Sequence, residues 1–412
     1  MEMPNVPQSI PPPPKKEKSF STVLIVGILI VGLVAGGVIG SSLSYIALNG
    51  KIEDLQTQLQ NLPAQNATYV SYPNSTYFLG GNVSLSQLYA QVKDSVVVIQ
   101  GLTVQYDLFG RAYYSSIQGS GFVYNFAGQM VIITNNHVVQ GVQNITVTFI
   151  NGNAYPATVL GSDPYADLAV LSADAPQSEF SPLQIVDSST LSVGDSLIAV
   201  GGPYGLAGTM TTGIVSALGR TITEQMSGGY PIANVIQTTT PINAGNSGGP
   251  LLNYYGQVVG ITTAIVSNSQ GLGFAIPSST ILREISSLVN HGSYDKHPTI
   301  GASGTDMTYE IAQAMNVNVT YGWLIAQVTA GGPAATAGIQ AGTQQVTVGG
   351  QTVVIGGDII IALNGVRITN LDDLSTFLEG HTLPGDGITV TLVRGNQTMD
   401  LQLTVGTRPA AT

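Results

Sequence analysis

Between Ser84 and Ser287 the chain is a succession of short β-branched runs, among them SVVVIQGL, GSGFVY, MVIITNN, ITVTFI, LAVLSA, SLIAVGG and QVVGITTAIV, each broken by Gly, Asn or Pro. Apolar runs this short, ended by turn residues, read as strands, and many of them in series argue for an antiparallel sandwich or barrel. One segment, SSTILREISSLVN, has helical spacing and closes the unit near residue 290. After HGSYDKHPTI, residues 299–407 repeat the strand pattern with a helix, LDDLSTFLEG, between strands. That order suggests a smaller mixed α/β module. An extra stretch over 339–357 is longer than a turn needs.

Composition narrows the function classes. Of 412 residues only 8% are charged, the net charge is −11, and no basic stripe lies beyond the N-terminal tail. Nucleic-acid binding is therefore not expected. No cysteine is present, which removes disulfides, thiol catalysis and zinc–cysteine sites. The four histidines, at 137, 291, 297 and 381, are scattered in the sequence, so no metal first shell and no cofactor are expected.

The N-terminus indicates a compartment. Val23 to Gly40 is apolar or glycine throughout and follows Lys15, Lys16 and Lys18. We read a cytoplasmic tail over 1–20 and a single transmembrane helix over 21–48, with everything after it extracytoplasmic. A cleaved signal peptide is the other reading, against which the length of the run argues. Residues 49–83 read as a stalk or linker. In it Ile52, Leu55, Leu59 and Leu62 have the spacing of a short coiled coil.

A nucleophilic serine needs a base and a group that orients the base. Ser247 lies in PINAGNSGGPLL, where glycines let backbone amides converge beside its oxygen; a plain surface turn is the alternative. His137, in TNNHVV, is the only histidine of the β-rich unit. DPYADLAVL offers two carboxylates, of which Asp167 leads into an apolar strand while Asp163 precedes a proline as a turn residue does.

TNNHVV, DLAVL, GNSGGPLLN and GLGFAIP, in that order, resemble the HtrA (Deg) family of serine proteases over roughly residues 84–407. The resemblance implies a mainly β chain: a chymotrypsin-like double antiparallel β-barrel over 84–290, then a PDZ domain over 299–407. It implies Ser247 as nucleophile, His137 as general base and acid, and Asp167 as orienter. The amides of Gly245 and Ser247, with Asn246 between them, would form the oxyanion hole. Thr262, Thr263 and Ala264 resemble the strand that pairs with substrate. Tyr321, Gly322, Trp323 and Leu324 are the expected receiver of a peptide C-terminus, by strand addition to the sheet. In one departure, Thr239 and Thr240 stand where relatives commonly carry an acidic residue. The implied partners are unfolded protein or peptide substrates, peptide C-termini at the PDZ domain, the membrane, and further copies of the chain as a homo-oligomer, a trimer above all. A chaperone or peptide-binding protein on the same fold is the alternative.

Overall fold

The β-branched runs pair as two closed barrels in the computed structural model, which describes Lys51 and residues 84–106, 110–202, 208–223, 231–243, 245–263 and 272–410. The chain divides into two units, Met1–Tyr77 and Phe78–Thr412, and the second holds both barrels and the C-terminal module. The expected span over 21–48 and the heptad positions of the stalk lie outside the described residues. Among the described residues no helix is long and apolar enough to cross a membrane.

The first barrel comprises β1 (Val96–Tyr106), β2 (Ala112–Phe126), β3 (Gln129–Thr134), β4 (Val142–Thr148), β5 (Ala154–Asp163) and β6 (Leu168–Ala173), closed in the order β1-β2-β3-β6-β5-β4. Alternation along β3 and β6 explains why they read as unbroken apolar runs. Ile132, Ala169 and Leu171 point into the barrel with Val97, Ile99 and Val123. Their neighbours Val131, Ile133, Leu168 and Val170 point the other way, into the core between the barrels. A strand buried on both faces loses its polar alternation. Each such side chain contributes about 1.5–3 kcal/mol by leaving water. Strand β5 is not evident from sequence, because Pro156 and Gly161 break its pattern, and Gly161 sits at a bulge against β6.

The second barrel comprises β7 (Ser196–Gly201), β8 (Thr209–Thr223), β9 (Pro231–Thr238), β10 (Pro250–Leu252), β11 (Val258–Thr263) and β12 (Gly273–Pro277), in the order β10-β11-β12-β9-β8-β7. Leu197, Ala199, Val215, Ile236 and Leu251 fill it. Helix α1 (Leu85–Val92) precedes the barrels with a capping box between Ser84 and Gln87, and α2 is a single turn, Asn136–Val139. Helix α3 (Ser278–His291) follows them and ends on Gly292 in the left-handed conformation. Its Ile281, Ile285 and Leu288 are buried on one face. It packs so closely on β5 that a Cβ at Gly161 would lie 2.2 Å from the Leu288 carbonyl oxygen.

The C-terminal module has a sheet in the order β14 (Ala302–Asp306), β15 (Trp323–Val328), β18 (Ile359–Leu363), β20 (Gly387–Arg394) and β21 (Gln397–Thr404), with β19 (Val366–Arg367) on β18. Strands β13 (Pro298–Thr299) and β22 (Gly406–Thr407) pair with each other. Helices α4 (Tyr309–Met315), α5 (Pro333–Thr336) and α6 (Leu371–His381) complete it. The extra stretch over 339–357 contributes a hairpin, β16 (Gln344–Val348) and β17 (Gln351–Ile355). Its turn residues Gly349 and Gly350 both have positive φ, as a tight hairpin of the favoured twist requires.

The segment between barrel and module is packed rather than a free linker. His297 is buried, its Nε2 2.7 Å from Asp163 Oδ2 on β5 and its Nδ1 3.1 Å from Glu379 Oε1 on α6. Asp163 is thus a buried ion-pair partner and not the turn residue its proline suggests. Arg283 of α3 reaches Glu284 Oε1 at 2.6 Å and Glu379 Oε2 at 3.3 Å. Burial works against a charged His297, but its bonds to Asp163 and Glu379 outweigh that and hold the imidazolium pKa up to about 10. Burial, reinforced by the Asp163 charge, pushes the Glu284 carboxyl well above the ordinary range. For Asp163 burial acts in the same direction, yet the bonds from His297 prevail and lower it.

Candidate active site

His137 follows β3 directly, in the turn α2, and Asp167 precedes β6, the neighbour of β3 in the barrel. Asp167 has φ +50, a left-handed conformation uncommon for a residue with a side chain. From there its carboxylate turns back on α2. Oδ1 accepts from the His137 amide at 2.9 Å and Oδ2 lies 2.8 Å from His137 Nδ1. The Thr263 hydroxyl donates to the same Oδ2 at 3.2 Å. Asn135 Nδ2 donates to the Asp167 carbonyl at 2.9 Å. A carboxylate with no solvent exposure is therefore satisfied by three donors, as burial of a charge demands. With Nδ1–H held by the carboxylate, Nε2 is the basic nitrogen of the ring.

Ser247, also buried, lies in the turn before β10. Strand β2 holds that turn through one residue, Ser120, by two bonds. The Ser120 amide donates to the Ser247 carbonyl at 2.8 Å, and the Ser120 hydroxyl donates to the Gly245 carbonyl at 2.6 Å. A Cβ on Gly119 would meet Val138 of α2 and lie 3.3 Å from the Ser247 carbonyl oxygen. One strand position therefore separates the serine turn from the helical turn bearing His137. Gly248, at φ +86, is required by space as well as by conformation: a Cβ there would lie 2.1 Å from the Ser120 carbonyl and 2.2 Å from Thr134 Oγ1.

The amides of Asn246, Gly248 and Gly249 donate to Asn243, Thr262 and Asn246 carbonyls respectively. Gly245, two residues before Ser247, is at φ +98. Sequence reading does not find Ser120; its signal is the Gly-Ser-Gly of β2, small residues where two loops converge. Thr240, in the place of an expected acid, is buried and hydrogen-bonded to Thr238 Oγ1 at 2.8 Å.

Thr262 and Thr263 are in place, but not as a free substrate edge. Thr262 pairs with Ala275 of β12 on one side, and on the other exchanges backbone bonds with Gly248 and Gly249. Its hydroxyl donates to the Asn246 carbonyl at 2.6 Å. Neither edge of Thr262 remains for a substrate strand. Ala264 lies outside the described residues.

Tyr321, Gly322, Trp323 and Leu324 do not form the expected peptide receiver. Strand β15 is interior, with Leu324 paired to Thr305 on one side and Ile359 on the other, and the Gly322 amide donates to the Thr369 carbonyl at 2.9 Å. An occupied strand cannot add another. The sheet ends instead at β14, and a cleft of about 280 Å³ runs between β14 and α6, lined by Ile300, Ser303, Trp323, Leu374, Ser375 and Leu378.

Residues 119–261 match the trypsin-like peptidase domain family and residues 298–405 the PDZ domain family. The chain is 35% identical over 326 residues to Protease Do-like 1, chloroplastic, of Arabidopsis thaliana, covering 78% of this chain and 72% of that protein. It is 36% identical over 292 residues to the periplasmic pH-dependent serine endoprotease DegQ of Escherichia coli (strain K12), covering 70% of this chain and 59% of that protein. The match to a probable DegP-like periplasmic serine endoprotease of Brucella suis biovar 1 (strain 1330) spans 53% of the relative's length, at 37% identity and with 71% of this chain covered. Among solved structures, the HtrA-type protease AlgW with decapeptide superposes with a TM-score of 0.60 at 29% identity, covering 80% of this chain and 100% of that one. An identity of 35% sustained over most of a Do-like protease, on a trypsin-like double barrel joined to a PDZ module, is a family relationship, and the chain belongs to the HtrA family of serine endopeptidases.

Proposed function

We propose that the protein is a membrane-tethered extracytoplasmic endopeptidase that cleaves unfolded or damaged proteins through Ser247, His137 and Asp167. The observation that carries this reading is the buried Asp167–His137 pair, 2.8 Å apart, next to a glycine-flanked serine turn. Ser247 Oγ attacks the carbonyl carbon of the scissile peptide as His137 Nε2 takes its proton. The amides of Gly245 and Ser247 stabilise the oxyanion, each such donor contributing about 3–4 kcal/mol at the transition state. Collapse of the tetrahedral adduct breaks the C–N bond, and the His137 proton passes to the leaving amine. Water, deprotonated by His137, then hydrolyses the acyl-serine. Asp167 fixes the ring tautomer and faces the imidazolium charge throughout.

The cleft between β14 and α6 takes the C-terminus of a peptide as an added strand on β14, with apolar side chains against Trp323, Leu374 and Leu378. Structures of AlgW with a decapeptide and with a tripeptide support peptide binding by this fold. Anchoring by residues 21–48 and assembly as a trimer complete the reading. The test is Ser247→Ala in the full chain: cleavage of casein and labelling by a fluorophosphonate both vanish while the fold is kept. Undiminished cleavage by that variant would refute the assignment, and suppression of substrate aggregation by it would reveal a chaperone activity.

A further inference from the structure

The hairpin turn that carries Asp167 is gripped from outside the barrel. Asp163 ends β5 and pairs with Leu168 at the start of β6, so only Pro164, Tyr165, Ala166 and Asp167 lie between the two strands. The near end of the turn is fixed through Asp163. Its Oδ1 accepts from the Tyr165 amide at 2.9 Å, its Oδ2 lies 2.7 Å from His297 Nε2, and the protonated carboxyl of Glu284 donates to the same residue. Ala166 is buried in the core between the barrels. Tyr165, at the tip, meets both ends of the C-terminal module.

Those two ends lie side by side. Strand β13 enters the module and β22 leaves it; they pair through Pro298 and Thr407, and the Arg408 amide donates to the His297 carbonyl at 2.8 Å. Directly beyond that pair three contacts close on Tyr165. The His297 ring meets it edge to face with centroids 5.2 Å apart, and the Arg408 guanidinium lies over it 4.5 Å from the ring centre. The Tyr165 hydroxyl donates to the Pro409 carbonyl at 2.7 Å.

The far end of the turn is Asp167 at φ +50. A left-handed residue with a side chain persists only where its surroundings over-determine it. Inside the barrel Asn135 holds the Asp167 carbonyl, while the His137 amide and the Thr263 hydroxyl hold its carboxylate. The grip on Tyr165, two residues earlier, adds a constraint from outside. We infer that Tyr165 is a positioning residue for the peptidase reaction: clasped by His297, Arg408 and Pro409 at the two ends of the PDZ module, it holds the turn so that Asp167 faces His137 Nδ1. This inference rests on the proposed role of Asp167. Tyr165 acts through that carboxylate and not on the substrate, so the chain beyond the PDZ module takes part in aiming the triad. With the clasp open the turn keeps its strand pairing, but Asp167 Oδ2 withdraws from Nδ1, and the imidazole is less well oriented and less basic.

The test compares the full chain with variants of the clasp. Tyr165→Phe keeps the ring contacts and loses the bond to Pro409, whereas Tyr165→Ala loses every one of them. Removal of residues 408–412 opens the clasp with the barrel sequence intact, and it serves if Tyr165→Ala fails to fold. Fluorophosphonate labelling of Ser247 and kcat/KM on a peptide substrate should fall about 10–100-fold in Tyr165→Ala and in the shortened chain, and by less in Tyr165→Phe. The acid limb of the kcat/KM profile should move to lower pH in the same order, because an imidazole that loses its carboxylate partner holds a proton less tightly. Arg220→Gln breaks a different contact between barrel and module, the 3.1 Å bond to Asp372, and should leave the labelling rate and the acid limb unchanged. An unmoved acid limb in Tyr165→Ala and the shortened chain, or an equal shift in Arg220→Gln, would leave Tyr165 with a domain-docking role alone and overturn the inference. Neither result touches the peptidase assignment, which fails separately if Ser247→Ala retains labelling.

Discussion

Gly248→Ala tests the geometry of the serine turn most directly, because two effects in it separate cleanly. The new Cβ would lie 2.1 Å from the Ser120 carbonyl oxygen and 2.2 Å from Thr134 Oγ1. Ordinary carbon–oxygen contact requires more than about 3.2 Å, so one side of the contact must retreat by about 1 Å. Strand β2 cannot supply that movement easily: Ser120 is fully buried and bonded to Gly245, Ser247, Gly202 and Thr134. The serine turn therefore moves. A misplacement of about 1 Å typically costs 10²-fold in rate, so kcat on a peptide substrate should fall about 100-fold or more. Left-handed strain alone, about 1–2 kcal/mol for alanine, is isolated by Gly128→Ala. That residue has φ +93 and nothing within 4 Å of the added carbon. This control should lower stability by about the same 1–2 kcal/mol and leave kcat unchanged. Chemical denaturation supplies the stabilities, and fluorophosphonate labelling rates supply the reactivity. Wild-type labelling by Gly248→Ala, or a comparable loss in Gly128→Ala, would refute the steric argument.

Thr263→Val removes one of three donors to a buried carboxylate; a stability loss of about 1.5–3 kcal/mol and a fall in kcat/KM smaller than that of Asp167→Asn should appear in denaturation and peptide assays. Asp167→Asn leaves the geometry but offers His137 the wrong tautomer, and kcat should drop about 10⁴-fold. Ser375→Trp fills the cleft beside β14, so fluorescence titration should show loss of C-terminal peptide binding with the fold retained. The junction sets an alkaline limit. His297 is raised from 6.5 to about 10, so its stabilisation is complete below pH 6.5 and fades as pH climbs through 10, and the raised Glu284 acts with the same sign. The lowered Asp163 acts oppositely, losing its contribution on the acid side. Thermal melts should show Tm declining from pH 7 to 10, with a flatter decline in His297→Gln.

Sequence patterns were strongest where burial and chemistry coincide. His137 and Ser247 were legible because one is the only histidine of its domain and the other stands among glycines. Asp167 was legible because it adjoins an apolar strand. Three-dimensional convergence was not legible: Ser120 is an ordinary strand residue, and Thr263, expected on a substrate-pairing strand, meets Asp167 only when closure of two barrels brings them together. Asp163 and His297 each have a local context that favours a turn or a linker, and only their meeting across 134 positions makes them a buried pair. The edge of the C-terminal sheet was not legible for a similar reason. GWLI is a convincing strand, but which strand lies at an edge is a property of sheet order, and β14, the actual edge, has the weak signature ASGTD.

The adjacent threonines at the end of β11 bear on how the protein becomes active. Side chains on a strand alternate faces, so Thr262 serves the serine turn while Thr263 serves Asp167 across the barrel interface. A slip of β11 by one residue would exchange those faces, leaving the turn without its anchor and the carboxylate without its donor in a single error. On the proposed assignment of Ser247 and Asp167, proteolytic competence is thereby tied to correct closure of the second barrel.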